Sequence, residues 1–600
     1  MPVVKPRNFK KTLLRLWRYF GSERNLLIFI LFMVIVSAGC GLAGPYLLGR
    51  AIDAISGINN SLKGAAIPGK GNVNFGLLEV TIFTLGIVYL FDALLNFFQA
   101  WLMAGGSQRI VLSLRRTLFA KLQKLPIAFF DLRSHGDLMS RLSNDIDNIS
   151  GVISQSTVQL MSNIVIFTGS LIMMLILSPL LTLAAVLIVP LVFLLTGVVT
   201  KKTRVLFKEQ QVVLGKLNGQ IEETISGIHV VKAFNHEEQA VEEFRQTNSN
   251  LCQVGIKALI WSGYIMPLMN VINNIAFLMV AGFGGILAVR NLITIGVIAS
   301  FLAYTRQFAR PLNEIANIFN TLQTAMAGAE RVFEILDEPE EPVDPSGVKM
   351  LDHPQGRVDF NQVSFSYRPD LPVLKQVSFT APAGHSIALV GATGAGKTTI
   401  VNLLARFYDI SEGTIAIDGY DIREYSRDSL RRCFGIVLQD TYLFSGTIRE
   451  NVRYGRLEAS DEEIEQAARL ANADRFIKRL PHGYETVLTE SGSNLSQGQR
   501  QLLAIARAIL ADSTILILDE ATSSVDTRTE RHIQEAMLKL TSGRTSFIIA
   551  HRLSTIRDAD TIMVIDNGRI VEQGNHQSLM ELEGTYHKLY ITQLKSAEES

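Results

Sequence analysis

The chain has 600 residues, with 57 lysines and arginines against 56 aspartates and glutamates; its formal charge of +1 says nothing for or against nucleic-acid binding, and no nucleic-acid partner is expected. Three cysteines, Cys40, Cys252 and Cys433, lie far apart without metal-ligand spacing; this argues against a disulfide framework or a zinc site, and they read as thiols. The apolar residues are too unevenly distributed for a wholly soluble protein, because the first half carries long uncharged runs and the second does not.

Residues 9–22 put Leu13, Leu14, Trp17 and Phe20 near one helical face, with Lys10, Lys11, Arg15 and Arg18 toward the other. That pattern predicts a helix along a membrane surface. From Leu26 to Gly49 no side chain is charged at neutral pH. At about 1.5 Å per residue such a helix exceeds the ~30 Å hydrocarbon core of a bilayer. Val158–Thr200 is also uncharged and would be roughly twice too long as one helix, so it must turn back. Ser178-Pro179 is the expected turn, since proline disfavours helix in the residue before it and suits a helix start. Runs at 77–104 and 258–289, and a further one from Asn291 past Arg306, bring the total to six spans. Lysines and arginines crowd the N-terminal segment and the 105–155 and 201–257 loops, which places those on the cytoplasmic side.

Residues 336–356 turn acidic and proline-rich and read as a linker. Beyond it, "RVDFNQVSFSY" alternates like a strand, "TILILDE" and "TSFIIAH" read as buried parallel strands, and Asn567-Gly568 predicts a hairpin between "TIMVID" and "RIVEQG". In "SIALVGATGAGKTTI" a strand runs into Gly391, four residues, Gly396, Lys397 and Thr398 and then a helix. This arrangement suits phosphate: glycines let backbone N–H groups approach, the helix N-terminus adds positive potential, Lys397 reaches the outer phosphates and Thr398 can bind Mg²⁺. A second strand ends in Asp519 and Glu520, whose side chains point apart, so one can serve a metal ion and the other an attacking water.

With "LSQGQRQLLAIARA" and "FIIAHR", these motifs resemble the ATP-binding cassette family, and the spans before them resemble the membrane half of its exporter branch. The fold class expected is a multidomain membrane protein: a six-helix transmembrane domain of exporter type followed by an α/β P-loop nucleotide-binding domain. Its parts would be an N-terminal interfacial helix at 1–25, the spans with long cytoplasmic loops at 26–335, the linker at 336–356 and the nucleotide domain at 357–600. The resemblance implies ATP and Mg²⁺, with the nucleotide held by Gly391, Ala392, Thr393, Gly394, Ala395, Gly396, Lys397, Thr398, Thr399 and Asp519, and with Tyr367 stacked on adenine. It implies catalytic roles for Glu520, His551 and Gln439, metal contacts for Thr398, Gln439 and Asp519, and a cross-dimer role for Asp526. Ser496, Gly498 and Gln499 of the signature loop would reach the nucleotide of another subunit, so a chain with one set of motifs is half a transporter.

Gln497 stands where the signature loop is expected to carry glycine. A positive φ there would cost about 1–2 kcal/mol. This departure, beside an intact phosphate loop and Glu520, favours a heterodimer; an identical partner that tolerates Gln497 is the alternative. Segments near 129–137 and 214–220 are expected to couple the nucleotide domains to the membrane half. The expected function is ATP-driven export of amphipathic organic compounds across the cytoplasmic membrane, in contact with lipid. Lipid or peptide export, or an ATP-gated channel or regulatory subunit, are the alternatives. Asp92, Asn270, Asn273, Asn274, Arg306, Arg310 and Glu314 are intramembrane polar groups suited either to cargo or to interhelical bonding.

Overall fold

The computed structural model describes residues 8–56, 73–186, 189–344, 347–368, 370–439, 441–489, 492–519, 527–550 and 556–598. They fall into two compact units, Met1–Leu125 with Arg133–Pro339 and Pro126–Leu132 with Glu340–Ser600.

The first unit opens with α1 (Phe9–Tyr19), whose Leu13, Leu14 and Trp17 stay exposed while Arg15 pairs with Asp337 at 2.5 Å and Tyr19 stacks on Phe333. Two long apolar helices follow, α2 (Arg24–Ile55) and α3 (Phe75–Leu122). After α4 (Ile127–Asp131), which belongs to the second unit, a helical run comprises α5 (His135–Ser140), α6 (Ile146–Gly151) and α7 (Thr157–Leu177), joined by π-helical turns. Ser178 is extended at φ −163° and ψ 107° and α8 (Pro179–Val186) begins at the proline, so the chain breaks at the dipeptide that predicts it. Next comes α9 (Val189–Ser226); residues 187 and 188 of the fourth expected span lie outside the described residues. A short α10 (Ile228–Ala233), then α11 (Glu237–Gly263), α12 (Ile265–Val289) and α13 (Ile295–Asp337) complete the unit. Arg24–Ile55, Phe75–Leu122, His135–Leu177 and Glu237–Val289 are long and apolar enough to cross a membrane, by length and composition.

The segment at 214–220, expected to couple the two halves, is not a separate short element. Those residues lie inside α9, and the chain reverses at Gly227, α10 and the Phe234–His236 segment, where Asn235 has φ 54°. Gly215 and Gly219 do not break the helix, since isolated glycines cost only about 1 kcal/mol each there, which its many other residues outweigh.

Pro45 sits inside α2 and cannot donate to the carbonyl of Gly41; α13 supplies the missing donor through Gln307 Nε2 at 3.2 Å. Tyr304 donates to the Leu42 carbonyl at 2.5 Å and Ser300 to that of Pro45 at 2.8 Å, while Asp53 accepts from Thr294 Oγ1 and the Gly296 amide at 2.7 and 2.8 Å. The backbones touch along this seam: a Cβ on Gly296 would stand 2.0 Å from the carbonyl oxygen of Gly49. Gly296→Val is therefore expected to separate α2 from α13 and to cost about 1–3 kcal/mol, read as a lowered unfolding midpoint of the detergent-solubilised protein; an unchanged midpoint would show that the seam yields.

Half-buried Asp92 accepts from Ser37 Oγ on α2 at 2.6 Å, and Glu314 accepts from Arg310 at 3.0 Å and Asn163 at 3.1 Å. Interhelical bonding thus accounts for these two carboxylates, whereas Asn270, Asn273, Asn274 and Arg306 are exposed on the single chain.

The second unit holds two principal sheets. β1 (Val358–Arg368) and β2 (Leu371–Ala381) belong to an antiparallel sheet of order β2-β1-β4-β5, with β4 (Glu412–Ile417) and β5 (Tyr420–Asp421). β3 (Ser386–Val390) feeds α14 (Lys397–Leu404) and belongs to the larger sheet. After α15 (Arg427–Arg432), β6 (Phe434–Val437) forms one edge of that sheet; β7 (Gly446–Thr447), α16 (Ile448–Arg453), α17 (Asp461–Leu470), α18 (Asp474–Ile477), β8 (Val487–Leu488) and α19 (Gln497–Ala511) follow. β9 (Ile515–Asp519), α20 (Thr527–Thr541), β10 (Thr545–Ile549), β11 (Thr561–Asp566) and β12 (Arg569–Gly574) complete the order β12-β11-β3-β10-β9-β6.

Pairing is parallel among β11, β3, β10, β9 and β6 and antiparallel between β11 and β12, whose hairpin turns on Asn567 and Gly568 with φ 47° and 79°. Alternate strand residues serve two cores: Ala388, Leu516, Leu518 and Ile548 on one face, Ile387, Leu389, Ile515 and Ile517 on the other. Burial on both faces explains why these strands read as continuous apolar runs. The acidic segment after α13 is tied down, with Glu341 paired to Arg431 at 2.5 Å and Asp344 accepting from the Arg427 amide at 2.8 Å. All three cysteines are free, and burial pushes the Cys433 thiol up to about 11.

Candidate functional site

The phosphate-loop residues and Asp519 sit at the carboxyl ends of β3 and β9, which flank β10 in the sheet. That edge of a parallel sheet is where α/β folds bind ligands. Glycine is required at Gly391, because a Cβ there would meet the Ile565 carbonyl oxygen at 2.2 Å. At Gly394 a Cβ would find nothing within 4 Å, but φ is +84°, so the residue keeps an exposed loop in a left-handed turn without side-chain bulk. Gly396, φ 111°, caps α14, and Lys397 is its first residue. Ala392, Thr393 and Thr398 are exposed and Ala395 and Thr399 buried.

Lys397 is only 7% exposed. Its ammonium donates to the carbonyls of Gly391 at 2.7 Å and Ala392 at 3.0 Å, so it bridges the loop. Burial lowers its pKa, and Asp519 partly offsets this by its negative charge. A buried ammonium hydrogen-bonded to neutral carbonyls, beside the exposed loop residues Ala392, Thr393 and Gly394, fits a polyanion. Thr398, Gln439 and Asp519 are oxygen-bearing, and among the described residues no cluster of three or more histidine, cysteine, aspartate or glutamate side chains could hold a metal ion. Hydroxyl, amide and carboxylate oxygens are the donor chemistry that suits a hard cation such as Mg²⁺.

Tyr367, on β1, is 46% exposed. Its hydroxyl donates to Thr399 Oγ1 at 3.2 Å and accepts from Asn402 Nδ2 at 3.4 Å, and its ring meets those of Phe365 and Tyr408 edge-on at 4.9 and 5.0 Å. The roles of Asn402 and Tyr408 were not legible in the sequence, since nothing in "VNLLARFYD" marks either beyond helix periodicity. Gln439 is exposed after β6. Glu520, Asp526 and His551 lie outside the described residues.

In the signature segment, Ser496 caps α19: its Oγ accepts from the Gln499 amide at 3.3 Å while Gln499 Oε1 accepts from the Ser496 amide at 3.0 Å. Gln497 is the first helical residue and exposed, and its φ is not positive; Gly498 behind it is buried. The backbone strain conditional on a positive φ is absent, because a residue in the first turn of a right-handed helix pays no left-handed penalty. Further along α19, Arg507 donates to the carbonyls of Tyr442 at 3.2 Å and Asn451 at 2.9 Å and fixes this helix to the segment that follows Gln439.

Two family models match the chain, one described as the ABC transporter transmembrane region over residues 27–312 and one as ABC transporter over residues 374–523. The chain belongs to the ABC transporter family, as an exporter half-transporter with one transmembrane domain and one ATP-binding domain. It is 49% identical over 592 residues to the uncharacterized ABC transporter ATP-binding protein YfiC of Bacillus subtilis (strain 168), covering 99% of this chain and 96% of that one. Over 616 residues it is 42% identical to a fatty acid ABC transporter ATP-binding/permease protein of Mycobacterium tuberculosis, covering 98% and 97%. A solved bacterial Atm1-family ABC exporter with ATP bound superposes with a TM-score of 0.74 at 30% identity, covering 96% of this chain and 99% of that one.

Proposed function

We propose that the chain hydrolyses ATP to drive outward movement of amphipathic organic compounds across the cytoplasmic membrane, as one half of a dimer. The carrying observation is the Lys397 ammonium folded onto the carbonyls of its own loop, a cradle ready for phosphate, in a chain that also supplies membrane-spanning helices. In this reading Gly391–Thr399 and Lys397 hold the phosphates and Tyr367 takes adenine. Thr398, Gln439 and Asp519 hold Mg²⁺, which when bound would neutralise phosphate charge; Gln439 and Glu520 orient the water, and His551 contacts the γ-phosphate. Ser496, Gly498 and Gln499, at the amide-bearing end of α19, serve the nucleotide of the other subunit. The basic loops put the N-terminus and the nucleotide domain in the cytoplasm. Active, concentrative uptake of a fluorescent amphiphile into inverted vesicles, abolished without ATP, supports the pump; flux that only runs downhill overturns it in favour of a channel. The name of the M. tuberculosis relative favours a second reading, in which the cargo is a fatty acid.

The partner is a different chain in this proposal. Its support is Gln497, which places an amide side chain on the exposed first turn of α19, beside donors that would face the partner's phosphate. Purified alone, the chain should show at most a few per cent of the ATPase rate of the assembly isolated from its native membrane. Full activity of the chain alone would make it a homodimer.

A further inference from the structure

The five-residue helix α4 lies in the first cytoplasmic excursion of the membrane half, yet its contacts assign it to the unit built from Glu340–Ser600. Its last residue, Asp131, is exposed and accepts a hydrogen bond from the Tyr408 hydroxyl. The half-buried ring of Tyr408 in turn meets Tyr367 edge-on, with centroids 5.0 Å apart and planes at 89°, and Phe365 at 5.7 Å. Tyr367 is fastened on its other side to Thr399 and Asn402 of α14, the helix that Lys397 begins. A continuous line of contacts therefore runs from the phosphate-loop helix, through two tyrosine rings, to the carboxylate that ends α4. Burial, and next the Asp131 carboxylate, raise the Tyr408 pKa, so its hydroxyl stays a donor throughout the physiological range.

We propose that Tyr408 is a positioning residue that reports occupation of the Tyr367 ring by a nucleotide base to α4 through Asp131. A base stacked on the exposed face of Tyr367 restrains that ring; edge-on contact with Tyr408 passes the restraint on, and the hydrogen bond fixes the end of α4. Phosphates alone engage the loop without loading the ring. The helix linked to the membrane spans is thus set by the base as well as by the phosphates. The proposal rests on the reading of Tyr367 as the adenine platform.

Amide hydrogen exchange across residues 127–132, in the full transporter in lipid nanodiscs, tests it with two probes, ATP and inorganic tripolyphosphate, each near saturation. The wild type should show at least threefold slower exchange with ATP than with tripolyphosphate. Tyr408→Phe, which keeps the ring and removes the donor, and Asp131→Ala should abolish that difference, while Asp131→Asn, whose amide oxygen still accepts, should retain it. A purely structural role would instead change exchange equally with either probe. The relay is overturned if Tyr408→Phe keeps the ATP-specific protection, or if both probes protect the wild type equally. The platform is tested separately: Tyr367→Ala should lower affinity for ATP at least fivefold relative to tripolyphosphate, and an unchanged ratio rejects the platform, whereas a lowered ratio with an intact Tyr408→Phe response rejects the relay alone.

Discussion

Replacing Glu520 with glutamine is expected to lower the ATPase rate at least 100-fold while changing ATP affinity less than threefold. Binding and turnover are separate tasks in this site. Phosphate binding depends on the loop amides and on the Lys397 ammonium, which do not involve Glu520 in the proposed assignment. Turnover depends on a carboxylate placed to polarise and orient water, and a positioned general base contributes roughly 10²–10⁴-fold. Glutamine preserves size and hydrogen-bonding capacity but removes the charge and basicity. With hydrolysis slowed and binding intact, the ATP-bound closed dimer should accumulate, visible as an enlarged closed population in spin-label distance measurements. The check pairs phosphate release with equilibrium ATP binding on the same preparation. An unchanged rate would remove Glu520 from its role, and rate and affinity falling together would show that the substitution damaged the cradle instead.

The strands were legible because both faces of the sheet's parallel strands are buried, which forces apolar runs at Ile515–Leu518 and Phe547–Ile549. The phosphate loop was legible for a related reason: the backbone at Gly391 passes too close to the Ile565 carbonyl for any Cβ, which demands glycine, and the helix that begins at Lys397 marks where the loop ends. Ser178-Pro179 was legible because proline acts on the local backbone. The features that stayed hidden depend on partners distant in sequence. Gly215 and Gly219 look like turn residues until α9 is seen to run through them to Ser226. The seam that satisfies Gly41 needs Gln307, 266 residues away, and Tyr408 acquires meaning only when Asp131 and Tyr367 stand on either side of it. Gln497 shows the opposite error: a side chain in place of an expected glycine implied strain, but that inference depended on φ, which composition does not set and the helix does.

Lys397→Ala is expected to weaken ATP binding by about 10- to 100-fold, since each hydrogen bond to a charged group contributes roughly 1.5–3 kcal/mol. Part of the loss comes through the loop. The ammonium draws the Gly391 and Ala392 carbonyls together at 2.7 and 3.0 Å, and without it the loop loses two of the bonds that hold its turn before nucleotide arrives. Arginine should restore little, because a planar fork cannot occupy the compact site of a point charge. The pH dependence separates charge from shape. Burial holds the Lys397 pKa below 10.5, Asp519 opposing, so in the free protein the lysine loses its proton at lower pH than an ordinary lysine. Bound phosphates stabilise the charged form and raise that pKa, so ATP affinity should be flat at low pH and fall as pH rises through the free-protein value. Titration calorimetry at successively more alkaline pH, below 10.5, should show this decline in the wild type and none in Lys397→Ala, whose affinity is already low. Parallel pH profiles for the two proteins would mean that another group governs the decline and that the loop geometry, rather than the ammonium charge, binds the phosphates.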